Sequence, residues 1–254
     1  MTMAATTCPL CDGTGWKIVE RGGLSGAERC VCAAATRTVE LKENANIPPN
    51  YRQASLDNFQ MPADNPMARQ GLGTVLMQVR SFAREFPAES RPGLLLIGEP
   101  GTGKTHLAVA AMRALLDKGH ECLFFDYQNL LDRIRSGYDA ASGAADREAY
   151  RAVLDVEVLL LDDLGAHRVT DWVEDTVTAI ITHRCNQRKP LIATTNLTDD
   201  ERGKDFAMPG GDKKTIRERT LAEMIGTRAR SRLHEMCRVV RMPAVEDYRL
   251  KRAR

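Results

Sequence analysis

One segment of the sequence has the residue types and spacing needed to hold a triphosphate. GEPGTGKT, residues 98–105, fits the pattern G-x-x-x-x-G-K-[ST] and stands between an apolar run and a helical pattern. Its glycines let backbone N–H groups surround phosphate oxygens, and the start of a helix adds a partial positive charge. We expect Lys104 to reach the β- and γ-phosphates of ATP and the Thr105 hydroxyl to ligate Mg²⁺. The residues predicted to bind the nucleotide are Gly98, Pro100, Gly101, Thr102, Gly103, Lys104, Thr105 and His106.

Two carboxylates and an amide follow later apolar runs. VLLLDDLG ends a buried-strand pattern with Asp162 and Asp163, and Asn196 comes shortly after the apolar run 191–194. Carboxylates at the end of a buried strand are costly unless a cation or a water meets them. We expect Asp162 to bind Mg²⁺, Asp163 to polarise the attacking water, and Asn196 to hydrogen-bond the γ-phosphate or that water. The alternatives are a strand that ends in a solvated turn and an asparagine that only caps it.

Four cysteines near the N-terminus are spaced as metal ligands. Cys8 and Cys11 form a C-x₂-C pair, Cys30 and Cys32 form a C-x-C pair, and 18 residues lie between the two pairs. Four thiolates beside glycine-rich turns suit tetrahedral Zn²⁺, and a small unit with few large apolar residues needs such a support. We therefore predict a zinc site, with an iron–sulfur cluster or two disulfides as the alternatives. The remaining cysteines are interpreted as buried small apolar residues: Cys122, Cys185 and Cys237.

The elements that must position these groups are strands alternating with helices. The predicted strands are 94–97, 122–126, 156–161, 191–194 and 239–240. The predicted helices are 33–43, 71–86, 106–118, 129–136, 173–186 and 217–236, with Gly226 as a point of interruption in the last. A glycine-rich turn is predicted at 22–26, and loops are predicted at 142–145 and 203–214. This alternation predicts an α/β fold with a parallel sheet and helices on both faces.

Two prolines in IPPN, residues 47–50, divide the chain into two units. We expect residues 1–45 to form the zinc-binding module and residues 46–254 to form the ATP-binding domain, with a minimal C-terminal lid or none. Both units lack an apolar run of about 20 residues, so no membrane contact is expected.

The composition is typical of a soluble globular protein, with 43% hydrophobic and 28% charged residues among 254. No signal-peptide pattern opens the chain, so we expect a cytoplasmic location. From residue 201 onward, 15 Lys and Arg face 8 Asp and Glu. This excess is typical of a surface that binds phosphate or nucleic acid, and equally of a solubilising one.

These motifs, in this order, resemble the AAA+ ATPases of the DnaC/DnaI helicase-loader and IstB family. The matching segments are YRQASLDNF (51–59), GEPGTGKTHLA (98–108), LDDLG (161–165), PLIATTNL (190–197) and IGTRARSRLHEMC (225–237). The resemblance implies that Asn196 is the sensor I residue and Arg232 the arginine finger, with Arg228, one helical turn away, as the second choice. Such an arginine, donated by a neighbouring subunit, would neutralise charge on the γ-phosphate. The alternative for Arg232 is an ordinary residue of a surface helix.

The same resemblance implies partners for the chain. They are a replicative DNA helicase, single-stranded DNA and, in the ATP state, further copies of the chain in a homo-oligomer. The zinc module would be the arm that docks on the helicase. Arg133 and Arg135 would contact DNA phosphates, and Tyr138 and Trp172 would stack on bases. The alternative is a solvated arginine face and a tryptophan that anchors the start of a helix.

Three functions are compatible with these features. The first is an ATP-dependent helicase loader in DNA replication, a slow ATPase stimulated by oligomerisation or DNA. The second is an IstB-like helper ATPase that deforms duplex DNA and recruits a transposase. The third is a nucleotide-dependent adaptor with little turnover, in which the zinc module is the acting part. Two departures from the family pattern bear on the choice: the acidic pair is Asp-Asp rather than Asp-Glu, and too little chain follows Tyr248 to assign a sensor II arginine.

Overall fold

The N-terminal segment folds into a hairpin and a helix. A computed structural model describes residues 8–22, 24–136, 144–199, 205–207, 215–217 and 219–252. Strand β1 (Trp16–Arg21) pairs antiparallel with β2 (Leu24–Arg29), and helix α1 (Val31–Asn44) follows. The predicted helix is confirmed. The predicted turn over 22–26 is too long, because β2 already begins at Leu24 and Gly26 pairs within the hairpin.

Five parallel strands form the central sheet. In chain order the remaining strands are β3 (Gly93–Ile97), β4 (Cys122–Asp126), β5 (Val158–Asp162), β6 (Leu191–Thr195), β7 (Asp205–Ala207), β8 (Thr215–Arg217) and β9 (Cys237–Arg241). The sheet has the order β4-β5-β6-β3-β9, with every neighbouring pair parallel, while β7 and β8 pair antiparallel apart from it. The predicted α/β fold with a parallel sheet is confirmed.

Helices cover both faces of this sheet. Along the chain they are α2 (Pro66–Glu85), α3 (Lys104–Asp117), α4 (Tyr127–Ser136), α5 (Ala144–Asp155), α6 (Asp171–Asn186), α7 (Leu221–Ile225), α8 (Thr227–Met236) and α9 (Tyr248–Arg252). Because side chains alternate along a strand, Leu94 and Leu96 pack under α2 and α3, whereas Leu95 and Ile97 pack under α4, α6, α7 and α8. Among the residues described, no helix is both long and apolar enough to cross a bilayer.

The carboxyl ends of β3, β5 and β6 lie side by side. Strand β6 stands between β3 and β5 and is hydrogen-bonded to both. The glycine-rich segment 98–103 follows β3, Asp162 ends β5, and Asn196 follows β6. Since parallel strands end at one edge of a sheet, the three segments predicted to do chemistry converge there.

Several boundaries differ from the predicted ones for local reasons. Helix α2 begins at Pro66 instead of residue 71, because the side chain of Asn65 accepts a hydrogen bond from Ala68 N and caps the helix. The long C-terminal helix is two helices, α7 and α8, divided at Gly226 with a φ of 83°. The interruption predicted at this glycine is confirmed.

Both predicted loops are wrong in the parts that the structure describes. Residues 144 and 145 open α5, and residues 205–207 form β7. The sequence contained a signal for α5, since the buried residues Ala149 and Val153 are spaced one helical turn apart. The remainder of the two predicted loops lies outside the described residues.

Candidate functional site

The glycine-rich segment folds as a tight turn between β3 and α3. Gly101 and Gly103 have φ of 74° and 93°, in the left-handed region that favours glycine. A Cβ on Gly103 would lie 2.6 Å from Phe59 Cε2. Gly98 N donates to Thr195 O at 3.2 Å, which ties the start of the turn to β6. Glycine is therefore required at position 103, where the Phe59 ring packs against the backbone, and the turn leads directly into the N-terminus of α3, which favours a bound anion.

Lys104 is held across this turn by a neutral partner. Its Nζ donates to Glu99 O at 2.8 Å, and Thr102 Oγ1 donates to the same carbonyl at 2.8 Å. Burial lowers the pKa of Lys104, and the carboxylates of Asp163 and Asp162 oppose the shift. A charged phosphate oxygen is a stronger acceptor for an ammonium group than a peptide carbonyl. The lysine is thus placed to exchange Glu99 O for a phosphate.

Asp162 is the buried carboxylate of the site, with 8% of the residue exposed. Its Oδ1 accepts hydrogen bonds from Thr105 Oγ1 at 2.9 Å and from Thr194 Oγ1 at 2.6 Å. Burial raises the pKa of Asp162 to about 6, against the hydrogen bond from Thr194, and the nearby Asp163 raises it further. A hydroxyl and a carboxylate oxygen suit Mg²⁺, and a bound cation would relieve the cost of burying this charge. The side chains of Thr105 and Asp162 therefore fit the predicted magnesium site.

Asp163 lies in strained backbone immediately after β5. Its φ is 53°, in the left-handed region that a non-glycine residue rarely adopts. Its N–H donates to Thr194 Oγ1 at 3.0 Å, and its Oδ1 accepts a hydrogen bond of 3.4 Å from Asn196 Nδ2. The two residues predicted to act on the lytic water therefore face each other at the sheet edge.

The C-terminal segment closes on the glycine-rich turn, which sequence analysis did not predict. Tyr248 N donates to Gly101 O at 3.2 Å, and the carboxyl of Asp247 fills the space that a Cβ on Gly101 would need. Asp247 also pairs with Arg249, whose Nη2 lies 3.3 Å from Oδ2. After burial, Arg249 contributes to the lowered pKa of Lys104. The positive charge of Arg249 thus adds to that of Lys104 near the site, and the sequence analysis did not predict this contribution.

The segment 51–59 lies against α3, where the resemblance expects the approach to adenine. His106 Nε2 lies 3.0 Å from Ser55 O, and the centroid of its ring is 5.6 Å from that of Phe59. Burial raises the pKa of Tyr51, and the nearby Asp162 adds to the shift. His106 therefore contacts this segment, and its predicted contact with the nucleotide stays a prediction, as does that of the exposed Pro100.

The two arginines considered as fingers lie on α8, which packs on α6, α7 and β9. Arg232 Nη1 donates to Glu235 Oε2 at 2.6 Å, and 43% of the Arg232 side chain is exposed. Arg228 is exposed one helical turn earlier. Both are therefore accessible to a neighbouring molecule.

The residues considered for DNA contact are engaged with aromatic rings. The guanidinium of Arg135 lies 5.9 Å from the centroid of the Trp172 ring, and that of Arg133 lies 5.7 Å from the Phe125 ring. The first pair joins α4 to α6. Tyr138 lies outside the described residues, and DNA contact by the other three stays a prediction.

The four N-terminal cysteines come together in one cluster. Their sulfur atoms all lie within 4.8 Å of one another, with Cys8 Sγ 3.8 Å from Cys30 Sγ and Cys11 Sγ 3.3 Å from Cys32 Sγ. Zinc–sulfur bonds of about 2.3 Å require tetrahedral edges of about 3.8 Å, so this donor set fits Zn²⁺. Gly15 N donates to Cys11 Sγ at 3.3 Å, and the hydrogen bond with Cys32 lowers the pKa of Cys11 to about 7. All seven cysteines, each in a described position, are free of disulfides, and Cys122 and Cys237 are buried while Cys185 is half-buried.

This sheet, with the glycine-rich turn and the acidic and polar strand ends beside it, defines a P-loop protein of the AAA+ class. The model of the IstB-like ATP binding protein family matches residues 75–253, and the chain belongs to this family.

The chain is also similar to individual proteins and to solved structures. The chain is 26% identical over 218 residues to the uncharacterized protein YqaM of Bacillus subtilis, covering 84% of this chain and 61% of that one. It is 22% identical over 157 residues to the replicative helicase loader DnaC of Escherichia coli, covering 62% of this chain and 61% of that one. The crystal structure of the DnaC helicase loader superposes with a TM-score of 0.59 at 30% identity, covering 77% of this chain and 100% of that structure. The chain spans about three fifths of the length of these two curated relatives.

Proposed function

We propose that the chain is an ATP-dependent loader of a replicative DNA helicase. The observation that carries the proposal is its similarity to the DnaC helicase loader, at 30% identity over the whole of that crystal structure. The geometry of the sheet edge supports the ATP dependence, because it brings the phosphate-binding turn, two carboxylates and an amide together.

In this proposal the chain's own groups divide the work at the triphosphate. Lys104 would exchange Glu99 O for the β- and γ-phosphates, and Thr105 and Asp162 would hold Mg²⁺. When bound, Mg²⁺ neutralises part of the phosphate charge. Asp163 orients the attacking water and accepts its proton, with Asn196 fixing the carboxylate through the contact of 3.4 Å.

Hydrolysis in this proposal needs a second copy of the chain. An arginine of α8, Arg232 with Arg228 as the second choice, reaches the γ-phosphate of the neighbouring copy. The intramolecular bond from Arg232 to Glu235 is exposed, so a phosphate would displace it at little cost. ATP bound at such a boundary would hold a homo-oligomer together, and turnover would be slow in the isolated chain.

The cysteine module and the α4–α6 surface are proposed as the partner-binding regions. Zn²⁺ held by Cys8, Cys11, Cys30 and Cys32 would fix the hairpin that follows the first pair, and the module would dock on the helicase. Single-stranded DNA would run past Arg133, Arg135 and Trp172 within the assembly.

The proposed division into domains is residues 1–45 and residues 46–254. Helix α1 belongs to the first unit but packs on α3 of the second, to which Lys42 is joined by an ion pair with Asp117.

A second candidate is a transposition helper. The match to the IstB-like family favours it as much as it favours a loader, because both would use the same ATP-binding body. The four-cysteine module supports the loader, since a helper that only deforms duplex DNA has no evident use for it. An adaptor with little turnover would keep the same site and lose only the hydrolysis step.

The test is binding of the full chain to the replicative helicase and to a transposase of the same genome. We expect the chain to bind the helicase and, with ATP, to place it on circular single-stranded DNA, measured by co-elution of helicase with the circle. The Lys104→Ala variant should bind the helicase yet fail to load it. Binding to the transposase alone would establish the second candidate, and loading without ATP would contradict the proposed dependence.

A further inference from the structure

A buried carboxylate lies between the end of β6 and the helix that carries the candidate arginine fingers. Asp199 follows Asn196 by three residues, and 2% of its side chain is exposed. Arg230 Nε lies 2.7 Å from Oδ1, while His234 Nε2 and Arg241 Nη2 lie 2.9 Å and 3.3 Å from Oδ2. Arg230 and His234 belong to α8, and Arg241 ends β9. One carboxylate therefore joins the segment after β6 to α8 and to β9.

The chain around Asp199 is bound to the same helices by its backbone. Arg230 Nη2 also donates to Asp199 O at 3.0 Å. Leu221 N, at the start of α7, donates to Thr198 O at 2.8 Å, and Thr198 forms a bridge with Thr220. The segment that continues from Asn196 is thus fastened to α7 and α8 at consecutive residues.

The contacts of Asp199 with α8 involve only one face of the helix. At 100° per residue, Arg230 and His234 lie on one face, and Arg228 and Arg232 lie on the opposite face. A third face of α8 lies between these two and packs on the core. It carries Ala229 and Leu233, both of which are 0% exposed. Holding the first face therefore sets the direction in which the second face projects.

Stability alone does not account well for this arrangement. Removing a carboxylate from water is unfavourable, and ion networks of this kind are a weak source of net stability compared with apolar packing. What such a network provides is a fixed geometry, because Oδ1 of Asp199 accepts a hydrogen bond from Arg230 Nε and Oδ2 accepts one from Arg241 Nη2, with His234 Nε2 2.9 Å from Oδ2.

We propose that Asp199 is a positioning residue for hydrolysis: by holding Arg230 and His234 it fixes the rotation of α8, so that Arg228 and Arg232 project toward the nucleotide of a second copy of this chain. The inference rests on the proposed function, in which hydrolysis uses an arginine donated across a subunit boundary. Asp199 touches no reacting atom and acts only through α8. It also sits three residues from Asn196, so the strand end that meets one nucleotide is fastened to the helix that serves the next.

The experiment mixes variants that are each inactive alone. Lys104→Ala loses its own nucleotide site but keeps α8, whereas the double variant Arg228→Ala/Arg232→Ala keeps the site but lacks both arginines. Asp199→Asn, which is nearly isosteric, is expected to lower kcat by about tenfold or more while the ATP Kd changes by less than about twofold. Its ATPase activity should return on mixing with Lys104→Ala, which supplies intact arginines, and should not return on mixing with the arginine-less variant.

Each other outcome overturns a definite part of the account. Rescue of Asp199→Asn by the arginine-less variant would place the defect in its own nucleotide site, and rescue by neither would indicate a general loss of structure; both contradict the positioning role. Arg230→Gln removes the contact with Asp199 from the α8 side. It must therefore also be rescued by Lys104→Ala and not by the arginine-less variant. Arg238→Gln is the matched control, because it removes a β9 arginine that pairs with Glu85, not with Asp199, and should keep full activity. Failure of Lys104→Ala and the arginine-less variant to rescue each other would contradict the proposed function itself.

Discussion

Thr105 and Asp162 are separated by 57 residues and meet with 2.9 Å between Oγ1 and Oδ1. Thr105 lies in the first turn of α3, and Asp162 ends β5. The contact joins the phosphate-binding turn to the acidic strand end, so that one ion could bind both side chains. Much of the chemistry proposed for the chain depends on the charge of this one buried carboxylate.

Replacing Asp162 with asparagine should stabilise the nucleotide-free protein and remove its response to Mg²⁺. The folded pKa of about 6 lies above the ordinary value of 3.8, so the charged form is penalised at neutral pH. A shift of this size corresponds to about 2–3 kcal/mol of unfolding free energy at pH 7.5. Thermal unfolding should show a higher Tm for Asp162→Asn. Asp155→Asn, whose side chain is 79% exposed, is the control and should leave Tm unchanged.

The same carboxylate should make binding of Mg²⁺ and ATP pH-dependent. A raised folded pKa means that Asp162 is protonated below about pH 6 in the free protein, and a cation can bind only after that proton leaves. We expect affinity for Mg²⁺-ATP to fall as the pH drops through 6, with about one proton released per binding event below that pH. Calorimetry in two buffers of different ionisation enthalpy measures the release. An Asp162→Asn protein that releases the same proton would contradict the assignment.

Arg249 should contribute to nucleotide affinity from within the same chain. It follows Tyr248, whose N–H is bonded to Gly101 O of the glycine-rich turn, and it is oriented by Asp247. Its removal would therefore take a positive charge away from the end of the site where the phosphates are expected. Arg249→Ala is expected to raise the ATP Kd about fivefold, or about 1 kcal/mol. Arg238→Gln, which changes the charge of the chain equally, is the control. Equal ATP affinities of Arg249→Ala and Arg238→Gln would contradict a contribution of Arg249 to nucleotide binding.

The cysteine cluster should purify with about one zinc ion per chain. Cys11→Ser should lose the metal, because Cys11 contacts Cys32 and accepts a hydrogen bond from Gly15 N. Cys185→Ser should keep it, since Cys185 lies on α6 outside the cluster. Elemental analysis decides between zinc and iron, and intact mass under non-reducing conditions detects disulfides. Iron with inorganic sulfide would replace the zinc assignment by an iron–sulfur cluster.

Local patterns in the sequence were sufficient for the main strands of the sheet and for the glycine-rich turn. The apolar runs that end in Ile97 and Asp162 predict buried parallel strands, and the glycine spacing predicts the turn between β3 and α3. The convergence of Asp163 and Asn196 depends also on the strand order, which places β6 beside β5 and which local patterns did not predict.

Contacts between distant segments could not be predicted in this way. Nothing in the sequence near Tyr248 indicates that its N–H bonds to Gly101 O, since that contact depends on where β9 leaves the sheet. The burial of Arg184 could not be predicted from the sequence either. This residue of α6 is fully buried, and its guanidinium donates to four backbone carbonyls, those of Val153, Val156, Glu157 and Pro190. An arginine in a helical pattern is normally read as exposed, and only the assembled fold supplies those carbonyls.

The most direct test of the account is ATP turnover by the wild-type chain, Lys104→Ala and Asp163→Asn, measured over a range of protein concentrations together with nucleotide binding. We predict that the wild type hydrolyses ATP with a kcat that rises with protein concentration, because the arginine comes from a second copy. Lys104→Ala should neither bind nor hydrolyse ATP, and Asp163→Asn should bind it without turnover. Equal hydrolysis by all three proteins would contradict the assigned site.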